Sequence, residues 1–176
     1  MVHPKTMDAV DGPCLATVIP VYNEAEHIEA CLMSLLQQTF PSSKHMILVV
    51  DGHSTDNTVE LVNNIIQRHQ GAEWPQVQLL ANPERSVAHA RNLALQTLPT
   101  SVEYLIEMIG HATVDSKHLE QRMDAWDSCA EVAGERLAAV GVRVLAHAGP
   151  VSLAGEWIEG ALASPLGKSG GPRTRT

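Results

Sequence analysis

The chain has 176 residues, of which 44% are hydrophobic, and a formal net charge of −8 at pH 7. This length fits a single domain with a sound core, and the negative charge argues against a nucleic-acid-binding surface, which needs clustered lysine and arginine. The three cysteines are widely spaced, which predicts reduced thiols in a cytoplasmic protein rather than disulfides or a zinc site.

Strand and helix patterns alternate along the chain. Such alternation predicts parallel βαβ units with right-handed crossovers. We therefore expect an α/β fold, with an open, mostly parallel twisted sheet flanked by helices. One domain is expected over residues 15–166, with flexible segments at 1–14 and 167–176. The predicted strands are 15–21, 46–50, 77–81, 103–109 and 137–145, and the predicted helices are 25–38, 56–69, 87–98, 118–129 and 152–163.

Polar residues follow the first strand directly, in the segment Val18-Ile-Pro-Val-Tyr-Asn-Glu24. In an open α/β sheet, ligands bind just beyond the carboxyl ends of the strands, so Glu24 is a candidate to grip a polar ligand such as a nucleotide. The alternative is a purely structural helix start, in which Asn23 is the N-cap and Glu24 complements the helix dipole.

A second polar segment, Val49-Val-Asp-Gly-His-Ser-Thr-Asp-Asn-Thr58, follows the second strand. Asp51 ends an apolar run, where a carboxylate is costly unless it finds partners. We expect it to bind ribose hydroxyls or base N–H groups, with Gly52 supplying the turn. Ser54 and Asp56 are open to two interpretations, and Asp56 is well placed to cap the second helix.

The third segment is Asn82-Pro-Glu-Arg-Ser-Val-Ala-His-Ala-Arg-Asn92, where a strand gives way to a loop and a helix. Helix N-termini attract phosphate through free N–H groups and the aligned peptide dipoles. Arg85 and Arg91 can add charge-assisted bonds to a pyrophosphate. Alternatively, Arg91 forms a salt bridge with Glu84 or with a carboxylate at a strand end.

Together, the first two segments resemble the N-terminal half of glycosyltransferase family 2, inverting enzymes of the GT-A fold that include exopolysaccharide-type transferases. The resemblance extends from about Leu15 to at least Arg91 and continues more weakly to the C-terminus. It implies a nucleotide-diphosphate sugar donor such as a UDP-sugar, a saccharide or lipid-linked acceptor, and a role in polysaccharide biosynthesis. It also implies a nucleotide site that includes Pro20, Tyr22, Glu24, Asp51, Ser54, Arg85 and Arg91.

The fourth predicted strand departs from the family pattern. There, an Asp-x-Asp or Asp-Gly/Ala-His segment holds a divalent metal that neutralises the diphosphate leaving group. This chain reads Ile106-Glu-Met-Ile-Gly-His-Ala-Thr-Val114, so that His111 aligns with the histidine but Ile109 replaces the aspartate. One histidine alone is a poor Mg2+ or Mn2+ site. Glu107, on the same side of the strand as Ile109, and Asp115 are the candidate replacements.

The resemblance also implies an acceptor half that supplies the general base, and we expect this sequence to hold little of it. Glu156 and Glu159 lie outside the expected context, and no base can be assigned. Two further hypotheses therefore stand beside an active transferase: a degenerate nucleotide-sugar binder without efficient catalysis, and an α/β nucleotide-binding domain of other chemistry. The dinucleotide and P-loop glycine motifs are absent from the sequence.

Partners and location follow from the remaining pattern. The predicted helix over 152–163 carries Leu153, Trp157, Ile158 and Leu162, which pack on its own sheet or on a second subunit, and we predict a homodimer. The sequence has no run of 18 apolar residues, so no membrane span is predicted. The first fourteen residues lack a signal-peptide pattern. We expect a cytoplasmic protein, with peripheral attachment to the inner face of the membrane as a further option.

Overall fold

The computed structural model describes residues 12–134 and 137–141. The chain divides into two compact units, residues 1–135 and 136–176. All helices and strands that the described residues form lie in the first unit. The strands are β1 (Leu15–Val21), β2 (His45–Asp51), β3 (Gln76–Ala81) and β4 (Tyr104–Glu107). The helices are α1 (Ile28–Leu36), α2 (Thr58–Arg68), α3 (Val87–Thr97) and α4 (His118–Ala133), with a short 3-10 helix at Ser42–Lys44.

The four strands form one parallel sheet in the order β3-β2-β1-β4. This arrangement confirms the expected mostly parallel sheet flanked by helices. The chain adds β2 and β3 on one side of β1 and then crosses back to add β4 on the other side. The order therefore reverses between β1 and β4, and a crevice at the carboxyl ends of these two strands is the usual ligand position in such sheets.

Two apolar layers enclose the sheet, which explains why β1 and β2 are apolar along almost their whole length. On one face, Ile19 and Val49 pack in the cluster that includes the apolar stripes of α1 and α2. On the other face, Val18 and Leu48 pack in the cluster that includes Ala90 of α3. Ala90 has no exposed surface, so its small side chain permits close approach of α3 to the sheet.

Several predicted boundaries shift in the structure. Helix α1 begins at Ile28 rather than residue 25, because residues 25–27 form a turn. Strand β4 ends at Glu107, although the amide of Met108 still donates to the Val18 carbonyl at 2.9 Å. Helix α4 continues to Ala133, past the predicted end at 129.

The strand predicted over residues 137–145 is wrong for its described part. Residues 137–141 adopt no regular secondary structure. Ala138 and Ala139 have low strand propensity and Gly141 weakens a strand further, so the apolar composition alone misled the prediction. Residues 142–145 and the predicted helix over 152–163 lie outside the described residues. Within the described part of the chain, no helix is both long and apolar enough to cross a bilayer.

Candidate functional site

Four loops leave the carboxyl edge of the sheet, one after each strand. The register aligns three strand ends side by side, since Val21 of β1 lies opposite Asp51 of β2, which in turn lies opposite Ala81 of β3. The loops after β1, β2 and β3 therefore start at the same level. The residues that the sequence singles out on these loops lie at this shared edge.

The loops after β1 and β2 are tied together by hydrogen bonds. The Asn23 amide donates to Ser54 Oγ at 2.9 Å, and the Thr55 amide donates back to Asn23 Oδ1 at 2.7 Å. The Glu24 amide donates to Thr58 Oγ1 at 2.8 Å. These bonds correct the proposal that Asn23 caps α1, because the Asn23 side chain is engaged by the second loop and His27 occupies the N-cap position.

Asp56 has the structural role that its position before α2 suggested. Its carboxylate accepts hydrogen bonds from the amides of Thr58 at 3.0 Å and Ala25 at 3.1 Å. A further bond from the Thr58 hydroxyl is the largest influence that lowers the pKa of the Asp56 carboxyl. The N-cap position itself belongs to Asn57, so Asp56 stabilises the helix start from one residue outside it.

Asp51 is buried at the end of β2, with 6% of its surface exposed. Its carboxylate accepts the Ser54 amide at 3.1 Å. A Cβ added to Gly52 would lie 3.3 Å from the Val21 carbonyl oxygen and 3.8 Å from Arg85 Cα. Glycine therefore allows three of the loops to approach one another beside Asp51.

In the part of the chain that the structure describes, three residues other than glycine have a left-handed backbone, and each lies in a different loop of this edge. The φ angles are 55° at Asn23, 61° at His53 and 53° at Arg85. Such angles are uncommon outside glycine, and they persist where the surrounding structure fixes them, which is often at ligand sites. These three loops are therefore conformationally constrained at this edge of the sheet, a feature often found at ligand sites.

The guanidinium of Arg85 lies over the ring of Tyr22, 5.8 Å from its centroid. This distance is within the range of a cation–π contact. Half of the Tyr22 surface is exposed, so the ring and the guanidinium are both open to a ligand. Pro20, in contrast, lies within β1 and is half-buried.

Arg91 forms a bidentate ion pair with Glu107 at the end of β4. Its Nη2 lies 2.7 Å from Glu107 Oε1, and its Nε donates to Oε2. The hydrogen bond from Arg91 is the main reason that the pKa of the Glu107 carboxyl is lowered. The alternative of a salt bridge to a strand-end carboxylate is thereby confirmed, whereas Glu84 pairs with His89 at 3.1 Å.

Glu24 and His111 join the loops after β1 and β4, at the point where the strand order reverses. Glu24 Oε1 lies 2.9 Å from His111 Nδ1. Between them lies Gly110, where an added Cβ would come within 2.9 Å of Glu24 Cγ. Glycine at this position therefore allows Glu24 to lie directly against the backbone of the β4 loop. Gly110 was not among the predicted site residues, although the Ile-Gly-His sequence carried the signal.

The thiol of Cys31 helps to hold the same loop from α1. Its Sγ donates to the Ile109 carbonyl at 3.8 Å. Burial, assisted by the nearby charge of Glu24, raises the pKa of the Cys31 thiol to about 12. Cys31 therefore remains a protonated thiol at neutral pH, and it serves as a packing and hydrogen-bonding group rather than as a thiolate.

The groups predicted to hold Mg2+ or Mn2+ do not fit a site for these ions as they are arranged. Glu107 is paired with Arg91, His111 is paired with Glu24, and the side chain of Ile109 is apolar and 48% exposed. Among residues 12–134 and 137–141, no three His, Cys, Asp or Glu side chains are grouped so that they could hold a metal.

Asn82 is a site residue that the sequence analysis did not select. It follows β3 and is buried, with 3% of its surface exposed. Its Nδ2 donates to the Ser86 carbonyl at 2.9 Å, and its amide donates to the Asp51 carbonyl at 2.7 Å. Oδ1 is buried without a hydrogen-bond partner in the described part of the chain. The sequence could have indicated Asn82 as a candidate, because it is a polar residue directly after a strand, as Asp51 is a polar residue at a strand end.

A cavity of 240 Å³ lies at the opposite edge of the sheet, where β3 begins. No carboxylate lines it, and its apolar and amide lining includes Ile66, Trp74 and Gln76. The residues at the carboxyl ends of the strands are therefore the stronger candidate site.

Comparisons with known proteins agree with this geometry. The sequence model described as Glycosyl transferase family 2 matches residues 17–147. The chain is 38% identical over 85 residues to the glycosyltransferase AglE of Haloferax volcanii, a match covering 48% of this chain and 26% of the relative. It is 36% identical over 107 residues to the succinoglycan biosynthesis protein ExoA of Rhizobium meliloti, covering 61% and 31% respectively. Each match thus spans about a third or less of its relative.

Two solved structures share the fold. The mannosyltransferase PcManGT of Pyrobaculum calidifontis, in complex with GDP-Man and Mn2+, has a TM-score of 0.57 and 28% identity, covering 66% of this chain and 34% of that one. Residues 1–349 of S. aureus TarS, in complex with UDP-GlcNAc, give a TM-score of 0.55 and 22% identity, covering 65% and 31%. The parallel sheet with flanking helices is therefore of the GT-A glycosyltransferase type.

Proposed function

The chain belongs to glycosyl transferase family 2, and we propose that its first unit binds the nucleotide-diphosphate sugar of an inverting sugar transfer. The observation that carries this proposal is the convergence of Tyr22, Asp51 and Arg85 on one edge of the sheet. Their loops contact one another around Gly52, and this edge is where open α/β sheets bind ligands.

The nucleoside is proposed to contact Tyr22, Asp51 and Ser54. An ionised carboxylate offers about four acceptor sites, and the carboxylate of Asp51 accepts the Ser54 amide. Asp51 therefore keeps acceptor capacity for ribose hydroxyls or a base N–H. The exposed ring of Tyr22 offers an apolar face to the nucleoside. Pro20 is proposed to support this site from within β1.

The diphosphate is proposed to lie near Arg85. This residue precedes α3, whose N-terminus provides aligned peptide dipoles. Its guanidinium lies over Tyr22, and among the described residues it forms no carboxylate pair. The charge of Arg91 is already matched by Glu107, so we assign Arg91 a supporting role in positioning the end of β4.

The donor and acceptor are proposed by class. The solved relatives include complexes with UDP-GlcNAc and GDP-Man, which supports a UDP- or GDP-sugar as the donor. The similarity to a succinoglycan biosynthesis protein supports a saccharide or lipid-linked acceptor in polysaccharide biosynthesis. We further propose a cytoplasmic, homodimeric protein, for which static light scattering is the test of the dimer.

A second candidate function is nucleotide-sugar binding without efficient turnover. The observation that favours it is the end of β4, where Ile109 presents an apolar side chain and His111 is paired with Glu24. Release of UDP or GDP from the sugar nucleotide would separate the two functions, because a binder retains the intact donor and a transferase slowly hydrolyses it.

The proposed donor site is tested by calorimetric titration of the full chain with UDP and with GDP. We expect one nucleotide to bind and Asp51→Asn to weaken that binding by roughly 10- to 100-fold, the usual cost of a lost charge-assisted hydrogen bond. The matched control is Asp127→Asn on the exposed face of α4, which should bind like the wild type. Equal affinity of all three proteins, or no binding, would contradict the proposed site.

A further inference from the structure

The end of β4 presents an apolar side chain where the family resemblance expects a metal-binding aspartate. Ile109 is 48% exposed, so much of its hydrocarbon surface lies open to solvent rather than in the core. Mg2+ and Mn2+ require several oxygen ligands in near-octahedral geometry. The loop over residues 108–111 provides none from its side chains, since it reads Met-Ile-Gly-His.

Glu107, the carboxylate of β4 that precedes Ile109 by two residues, is paired with a cationic side chain of the protein. Both oxygens of Glu107 accept hydrogen bonds from the guanidinium of Arg91. Bidentate pairs of this kind are stronger than single hydrogen bonds and fix the geometry of both groups. A divalent cation at Glu107 would have to break this pair, and it would then lie beside the positive charge of Arg91.

The histidine of the same loop is committed to the loop after β1. Glu24 lies against Gly110 and reaches His111 Nδ1 at 2.9 Å. The backbone of Glu24 is held in turn by Thr58 Oγ1. The carboxylate and the imidazole thus engage each other between the loops after β1 and β4, which leaves Nε2 of His111 as the ring nitrogen that could reach a metal.

We propose that the ion pair Arg91–Glu107 and the hydrogen bond between Glu24 and His111 occupy the groups that would otherwise hold a divalent cation, so that nucleotide binding does not depend on Mg2+ or Mn2+. The statement about nucleotide binding rests on the proposed function. The statement about the metal rests on the geometry at the end of β4 alone. Positive charge near the diphosphate then comes from Arg85 rather than from a metal ion.

The expected lack of metal binding is tested first, without nucleotide. Free Mn2+ is measured by electron paramagnetic resonance while the full-length chain is titrated with micromolar Mn2+. We expect the free signal to match that of buffer throughout. Saturable Mn2+ binding that disappears in Glu107→Gln or His111→Gln would overturn the proposal, because it would show that the pairs open to admit the ion.

The metal independence of nucleotide binding is tested by titrating UDP and GDP in the presence of Mn2+ and, separately, of EDTA. We expect Kd values that agree within about twofold between the two conditions, far less than the tenfold change that 1.4 kcal/mol would produce. A Kd at least tenfold lower with Mn2+ would overturn the inference. If neither nucleotide binds in either condition, the proposed function fails, and the Mn2+ titration alone still decides whether β4 holds a metal.

Discussion

The hydroxyl of Thr17 and Nε2 of His45 lie 2.8 Å apart inside the sheet, on the neighbouring strands β1 and β2. Both residues are almost completely buried, with 0% and 2% of their surfaces exposed. The hydrogen bond satisfies two polar groups that would be costly to bury alone. Burial lowers the pKa of the His45 imidazole to about 4, so His45 is neutral in the folded protein at neutral pH.

We expect the protein to lose stability as the pH falls from about 6.5 towards 4. The unfolded chain binds a proton at His45 with the ordinary pKa of 6.5, whereas the folded chain does so only near 4. Protonation in this window therefore favours unfolding, by roughly 2 kcal/mol at pH 5 relative to pH 7. Burial also lowers the pKa of His118, which adds in the same direction.

Urea unfolding at pH 7 and pH 5 measures this change in the free energy of unfolding. His118→Gln removes the smaller contribution and should leave most of the pH dependence intact. An equal free energy of unfolding at both pH values would contradict this prediction, because it would mean that folding does not lower the pKa of His45.

Arg85→Gly should stabilise the fold and weaken nucleotide binding at the same time. Arg85 has a φ of 53°, and the left-handed backbone costs a non-glycine residue about 1 kcal/mol or more. Glycine removes this cost but also removes the guanidinium above Tyr22. Calorimetry and urea unfolding measure the two effects. Arg85→Ala is the matched control, since it loses the guanidinium but keeps the backbone strain. Unchanged stability in the glycine variant would contradict this explanation.

Gly110→Ala should separate the loops after β1 and β4. The added methyl group would lie 2.9 Å from Glu24 Cγ and 3.0 Å from Val21 Cγ1, so Glu24 must move away from His111. We expect a loss of about 1–3 kcal/mol in the free energy of unfolding, as in other overpacked sites. Gly141→Ala is the control, because no atom of the described residues lies within 4 Å of its added Cβ. Equal stability of the two variants would contradict the close contact.

Ile109→Asp should create the Mn2+ affinity that the wild type is expected to lack. The new carboxylate would lie two residues before His111 and provide an oxygen ligand of the kind that Mn2+ prefers. Paramagnetic resonance of free Mn2+ measures the gain. Ile109→Asn has nearly the same shape without the charge and is the control. Equal Mn2+ binding by these two variants would show that Ile109 is not the residue that excludes the ion.

The sequence predicted the buried strands well, because each is a continuous apolar run that is visible without knowledge of distant contacts. The apolar run from Leu15 to Val21 is a strand with those limits, and the sequence also indicated that Asp51 ends a buried strand. The start of α1 was misplaced because it depends on a distant contact. Asn23 Oδ1 binds the amide of Thr55, and no local pattern reports a partner in the next loop.

The sequence selected polar residues of the candidate site and offered a salt bridge of Arg91 to a strand-end carboxylate, but it did not identify that carboxylate or predict the contact between Glu24 and His111. The sequence selected Arg91, Glu107, Glu24 and His111 separately, as nucleotide or metal ligands. The structure pairs Arg91 with Glu107 and Glu24 with His111, because the reversal of strand order brings β4 next to β1. Which carboxylate meets which nitrogen-bearing side chain depends on this crossover, which composition and spacing do not encode.

The same crossover has a consequence for the order of folding. Strand β1 pairs with β2 soon after it in the chain, but its other edge pairs with β4 only after α1, β2, α2, β3 and α3 have been synthesised. Contacts between distant parts of a chain form slowly, because loop closure must precede them. We therefore expect the β1–β2–β3 sheet to form first during synthesis, and β4 to dock last. Until it docks, one edge of β1 is an open template for strands of other chains.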